Sequence, residues 1–111
     1  SLTSSSIISV SSDARMKNHI SGLPSGASKL FDYLDGKSFF YNGDTSTAKN
    51  YGFIAQDVLS ALQKCGLSTD DFAGVCDIHG DGSQYALAYE QFIPLMWNEI
   101  KGLRKALSER S

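Results

Sequence analysis

SSDARMKNHI, residues Ser11 to Ile20, sets a hydroxyl, Ser12, five residues ahead of an amine, Lys17. A serine hydroxyl is a weak nucleophile at neutral pH until a neighbour takes its proton. A lysine takes it only where burial favours the neutral amine. Beside a peptide bond, such a pair is equipment for cutting the chain that carries it. The same ten residues also read as a short capped helix: Ser12 or Asp13 is the N-cap, an acid lies near the positive end of the dipole, and Arg15 and Lys17 occupy a solvated face. Because S-x-x-x-x-K spacings are common by chance, spacing alone favours the capped helix and leaves catalysis open.

Upstream of this block, residues 1–11 are Ser-rich and poor in charge, and Ile7, Ile8 and Val10 offer only short β-type apolar contacts, more like the end of a stem than a domain. Downstream, Gly22, Pro24 and Gly26 mark a loop, and Ala27, Leu30, Phe31 and Leu34 then fall at helical spacing. Lys37 to Tyr41 is aromatic-rich and ends at Asn42-Gly43, which is strand chemistry followed by a turn; Gly43 to Asn50 is a polar loop. Phe53, Ile54, Val58, Leu59, Ala61 and Leu62 predict an amphipathic helix over about 53–64, closed by Gly66 as C-cap. Gly74 to Ile78 and Gln84 to Ala88 read as a hairpin about Asp81-Gly82.

A last helix follows Tyr89. In it Ile93, Met96, Ile100, Leu103 and Leu107 alternate at spacings of three and four, an a/d seam over about two heptads. Two heptads equally suit a terminal helix packed on its own core. Pro94 places the regular helix start, or a kink, near itself, Gly102 weakens the helix, and Trp97, off the seam, is expected to pack on the body of its own chain. The elements add up to an α+β fold, a mainly helical small domain with a β-hairpin and a C-terminal helix.

Composition narrows the function. At 111 residues the chain is one domain's worth, and a lone domain of this size buries only about two-thirds of its unfolded surface, so oligomerisation would help it. The formal charge of −2, with no basic run, argues against a nucleic-acid binder. The Ile7–Val10 cluster falls far short of a signal peptide's apolar region and no run spans a bilayer, so the chain reads as soluble with no membrane partner. Cys65 and Cys76 are expected to be free, small core residues, and His19 and His79 are not spaced with them as a zinc site requires. Asp77-Ile78-His79-Gly80-Asp81-Gly82 follows the opening of a calcium loop, but His79 replaces an oxygen ligand and Ala88 stands where a bidentate Glu is needed. No metal is expected, and without a G-x-x-x-x-G-K-[ST] loop no nucleotide motif is present; no cofactor is predicted.

SSDARMKNHI resembles the "SDxRxKxxI" opening of the intramolecular chaperone domain at the C-terminus of phage endosialidases, tail fibres and neck appendages. Three further blocks follow in that family's order: LFDYLDGKSFFYN (Leu30 to Asn42), YGFIAQDVLSAL (Tyr51 to Leu62), similar to its "GFIAQEV" helix, and YALAYEQFIPLMWNEIKGL (Tyr85 to Leu103), similar to its closing helix. The resemblance implies a homotrimer whose seam is Ile93, Met96, Ile100, Leu103 and Leu107. It implies a chaperone for the β-helical stem upstream in the same polypeptide, and release by a single self-cut. Carried over, the scissile bond is Ser11–Ser12, the nucleophile Ser12 and the base Lys17, with Asp13 and Arg15 orienting the motif. Residues 1–11 would then end the stem and 12–111 form the chaperone domain, an autocatalytic serine endopeptidase. It would act in the host cytoplasm during virion assembly and be absent from the mature appendage. Two other classes stay open: a non-catalytic trimerisation tip, or a receptor-binding module at a fibre end using aromatics such as Tyr33 and Tyr51.

Overall fold

Val58, Ala61 and Leu62 share one face of the helix α1 (Ala55–Lys64), and that face is the centre of the molecule. The computed structural model describes residues 11–110; the Ile7, Ile8 and Val10 cluster, and with it most of the expected stem end, lies outside the described residues. Against α1 pack Ala27, Leu30 and Leu34 from the 25–34 region, Val75, and Phe92 and Leu95 from the start of the last helix. Phe92, Leu30, Leu62 and Val58 are fully buried, and burial of each such side chain contributes about 1.5–3 kcal/mol. Phe92 anchors an aromatic cluster, with ring centroids 5.2 Å from Phe53 and 5.1 Å from Phe72, the latter edge-on.

The helix predicted from Ala27 is instead a run of 3-10 turns, Ser25–Tyr33, following Pro24. The i, i+3 spacing of Ala27 and Leu30, both buried, lines one face at three residues per turn as well as at 3.6, so the pattern could not separate the two. Gly26 has a packing reason: a Cβ there would lie 2.5 Å from the Cys65 carbonyl oxygen. At the end of α1, Gly66 takes φ +74°. The Leu67 amide donates to the Leu62 carbonyl (2.9 Å) and the Gly66 amide to that of Gln63 (3.0 Å), a complete Schellman closure.

Two antiparallel hairpins flank this core, one more than expected. The first pairs β1 (Lys37–Phe39) with β2 (Asn50–Gly52), Lys37 opposite Gly52 and Phe39 opposite Asn50. The second pairs β3 (Val75–Asp77) with β4 (Tyr85–Leu87), Val75 opposite Leu87. Its loop is longer than a two-residue turn: Asp77 Oδ2 accepts from the Gly82 amide across it (2.8 Å), and Gly80 and Gly82 both take positive φ. The first residue of the calcium-like stretch therefore ties the loop. Tyr89 joins the first hairpin to the start of the last helix, its hydroxyl accepting from the Phe53 amide at 3.0 Å.

The last helix, α2 (Phe92–Glu109), follows a 3-10 turn over Tyr89–Gln91. Pro94 lies in its first turn, where no intrahelical donor is lost. Only Phe92 and Leu95 of α2 are buried. The seam residues Ile93, Met96, Ile100, Leu103 and Leu107 face outward, from 42 % exposed at Met96 to 70 % at Leu107, and every residue from Ile100 to Arg110 is exposed. Trp97 corrects its expectation: at 50 % exposed it stands on the open side of α2, because the helix buries only Phe92 and Leu95 in the body's core. Cys76 likewise is exposed, since the outward pleat of β3 carries it, while Cys65 is half-buried and burial pushes its thiol pKa up.

Candidate active site

Asp13 organises the Ser11–Ile20 segment. Its backbone is extended (φ −69°, ψ 129°) and its carboxylate caps a single 3-10 turn, Ala14–Met16, accepting the Arg15 amide at 2.9 Å. The turn closes with the Met16 amide on the Asp13 carbonyl (2.9 Å) and the Lys17 amide on the Ala14 carbonyl (3.2 Å). The Arg15 guanidinium then folds back on the same carboxylate as a fork, Nη2 to Oδ2 at 2.6 Å and Nε to Oδ1 at 3.1 Å. The Arg15 side chain, with its amide, holds the Asp13 carboxyl below the usual carboxylate range, and Asp13 pushes the guanidinium up.

This turn reverses the chain between residues 12 and 17. Lys17 leaves it in extended conformation, and its Nζ donates to Ser12 Oγ at 2.8 Å. The capped turn thus brings the hydroxyl and the amine together. The amides of Arg15, Met16 and Lys17 are all used within the turn, so they are not free to stabilise an oxyanion. Beyond Lys17, Asn18 Oδ1 and His19 Nδ1 lie 2.6 Å apart. Among the described residues, His19 is the only non-glycine at positive φ (51°). Asn, Asp and His are the non-glycine side chains found most often in that region.

All residues from Ser11 to Pro24 are exposed, including Met16 and Ile20, large apolar side chains flanking the pair. The seam residues are on α2 and have no part in the pair's hydrogen bonds. An open groove of about 800 Å³ between the two hairpins is lined by Phe40, Tyr41, Ile54, Ile78 and Tyr85 among others, with no residue from the 11–20 segment. Among the described residues no group of three or more His, Cys, Asp and Glu is placed to hold a metal ion, and no helix is long and apolar enough to cross a membrane.

Residues 12–67, just over half of the chain and beginning at Ser12, match the family described as "Chaperone of endosialidase". A solved structure described as that of a novel intramolecular chaperon is similar in fold, with a TM-score of 0.62 at 16 % identity, over 88 % of this chain and 99 % of that one. No curated protein sequence matches the chain. The chain belongs to the endosialidase chaperone family, and its fold is α+β.

Proposed function

We propose that this domain is a homotrimeric intramolecular chaperone for a β-helical stem upstream in its own polypeptide, and that it releases itself by cutting Ser11–Ser12. On this reading residues 1–11 end the stem, residues 12–111 are the released domain, and the cut takes place in the host cytoplasm as the virion appendage assembles. The observation that carries it is the 2.8 Å contact between Lys17 Nζ and Ser12 Oγ, set up by the turn between them.

The chemistry balances within the segment. Neutral Lys17 takes the proton of Ser12 Oγ, and the oxygen attacks the carbonyl carbon of Ser11. The proton passes to the Ser12 nitrogen as the C–N bond breaks, which leaves Ser11 esterified to Ser12 Oγ and the Ser12 amine free. Water then hydrolyses the ester, giving a Ser11 carboxylate and restoring the hydroxyl. No cofactor enters.

In the single chain the pair is open to water and Lys17 Nζ donates to the hydroxyl, whereas the reaction needs it to accept. Covering the pair, with Met16 and Ile20 beside it, would favour the neutral amine. Assembly would thereby switch on the cut, so that release reports a completed stem. Three copies also raise the local concentration of the three stem strands, whose mutual encounter is otherwise costly. The trimer reading is supported by α2: its own body covers none of it from Ile100 onward, and an uncovered stretch that short is marginal as a helix in water.

Expression of the natural polypeptide, stem included, as wild type and as Ser12→Ala tests this by gel and mass analysis. A wild-type product ending at Ser11, absent from the variant, is expected. Retention of residues 12–111 in mature wild-type particles overturns release and favours the second reading, a permanently attached tip that uses exposed aromatics such as Tyr51, 87 % exposed, and Tyr33.

A further inference from the structure

Two charges on α2 border the open seam without an ion-pair partner among the described residues. With Ile93, Ile100 and Leu107 at one core position of the heptad and Met96 and Leu103 at the other, Glu99 falls just before a core residue and Arg104 just after one. These are the g and e positions, whose charges set partner choice and orientation between helices. Along its own helix Glu99 has Gly102 and Leu103 three and four residues ahead and Leu95 and Met96 behind. Arg104 has Leu107 and Ser108 ahead and Ile100 and Lys101 behind. Neither therefore meets an opposite charge at helical reach. Among the described residues the one ion pair is Arg15–Asp13, so neither finds a partner elsewhere in the fold. Glu99 is half-buried at the crevice between α2 and the Leu23–Ser28 segment, on the edge where the body ends and the seam begins.

We propose that Glu99 of one copy pairs with Arg104 of a second copy of this chain, and that this pair sets the register of the α2 bundle. The inference rests on the trimeric reading above. In parallel helices held in register, a g residue faces the e residue five positions further along the neighbouring chain, and Arg104 is five positions beyond Glu99. A slip by one heptad sets Glu99 beside Trp97 and Arg104 beside Ala106, leaving both charges without a partner. An antiparallel arrangement brings Arg104 towards Arg104. The short apolar seam of Ile, Met and Leu does not discriminate between these arrangements by itself, so the charges supply the specificity.

The test uses the natural polypeptide with Ser12→Ala, so that the domain stays attached, and follows trimer recovery on refolding from denaturant by sedimentation over a range of chain concentrations. Glu99→Arg sets like charges at all three contacts, as does Arg104→Glu. Each is expected to raise the concentration for half-maximal trimer recovery by about tenfold or more at low salt and by much less at high salt. The double exchange Glu99→Arg with Arg104→Glu is expected to restore recovery to near the parent level. Single variants that assemble like the parent, or a double exchange no better than the singles, overturn the pairing while leaving the seam intact. A parent that never forms a trimer overturns the trimeric reading instead.

Discussion

Between Ser11 and Ser25 no side chain is buried, whereas the body from Gly26 to Leu95 closes on four fully buried ones. The reactive segment is held by polar contacts between residues at most five apart: the Asp13 cap, the Asp13–Arg15 fork and the Lys17–Ser12 hydrogen bond. The body depends on contacts far apart along the chain, such as Phe53 with Tyr89. Local polar geometry aligns the Ser12 hydroxyl with the Lys17 amine, the proposed nucleophile and base, but it cannot remove water from them; only burial does that. In one chain the alignment is present and the burial absent, which is what a cut conditional on assembly requires.

The largest effect on this contrast is expected from Phe92→Ala. It removes the ring at the centre of the aromatic cluster at a cost of about 3–5 kcal/mol, a large share of a small domain's stability, so thermal unfolding should show loss of the body and the gel loss of the cut. Ser12→Ala should separate the two regions: no cleavage product, with an unchanged melting profile. Normal processing at Ser11–Ser12 in that variant would remove Ser12 from the mechanism.

Lys17→Arg should stop the cut too, because a guanidinium stays protonated at any usable pH; cleavage at the wild-type rate would exclude Lys17 as base. Ile100→Asp leaves both regions intact within one chain and, in the proposed trimer, would bury three like charges around the axis. Sedimentation should show dissociated chains and the gel no processing. A monomeric Ile100→Asp chain that still cuts itself would show that the Ser12–Lys17 pair needs no assembly.

The smallest effect concerns the turn. Asp13→Ala removes the cap and the fork but neither reacting group, and is expected to slow cleavage by about tenfold through misplacement alone. Because Arg15 holds the Asp13 carboxyl below its ordinary value, the contribution of the turn is fully present above the usual carboxylate range, near pH 4. It is lost only as pH falls through the lower folded value. The ratio of wild-type to Asp13→Ala cleavage rates should therefore be flat from about pH 5 upward; a ratio that changes across neutral pH would assign the dependence to another group.

Much of this was legible where a local rule decides. Gly66 after an apolar stripe ends α1 because only a left-handed residue completes the Schellman bonds, and the runs on either side of Asp81-Gly82 pair because alternation and turn residues agree. The fork between Asp13 and Arg15, two residues apart, was not read from the sequence, which set Arg15 on a solvated face. The strand Asn50–Gly52 was not legible: it is three residues long with a polar start, and it exists because β1 pairs with it across the chain while the Tyr89 hydroxyl holds the next residue, Phe53. Trp97 was misplaced because a large apolar residue signals burial without saying by which molecule.

The sequence by itself determined the turn at Asp13, the five-residue spacing that lets Lys17 reach Ser12, and the heptad stripe on α2, since each depends on neighbours within one or two turns of chain. Only the tertiary structure decided which apolar residues the body consumes. Phe92 and Leu95 go inward and Ile93, Met96, Ile100, Leu103 and Leu107 remain outside, because the small core formed by α1 and the 25–34 region has room for one stripe of α2 and no more. Solvent exposure of the Ser12–Lys17 pair was decided at the same level, because burial is a property of what surrounds a residue and is absent from the residue's own neighbourhood in sequence.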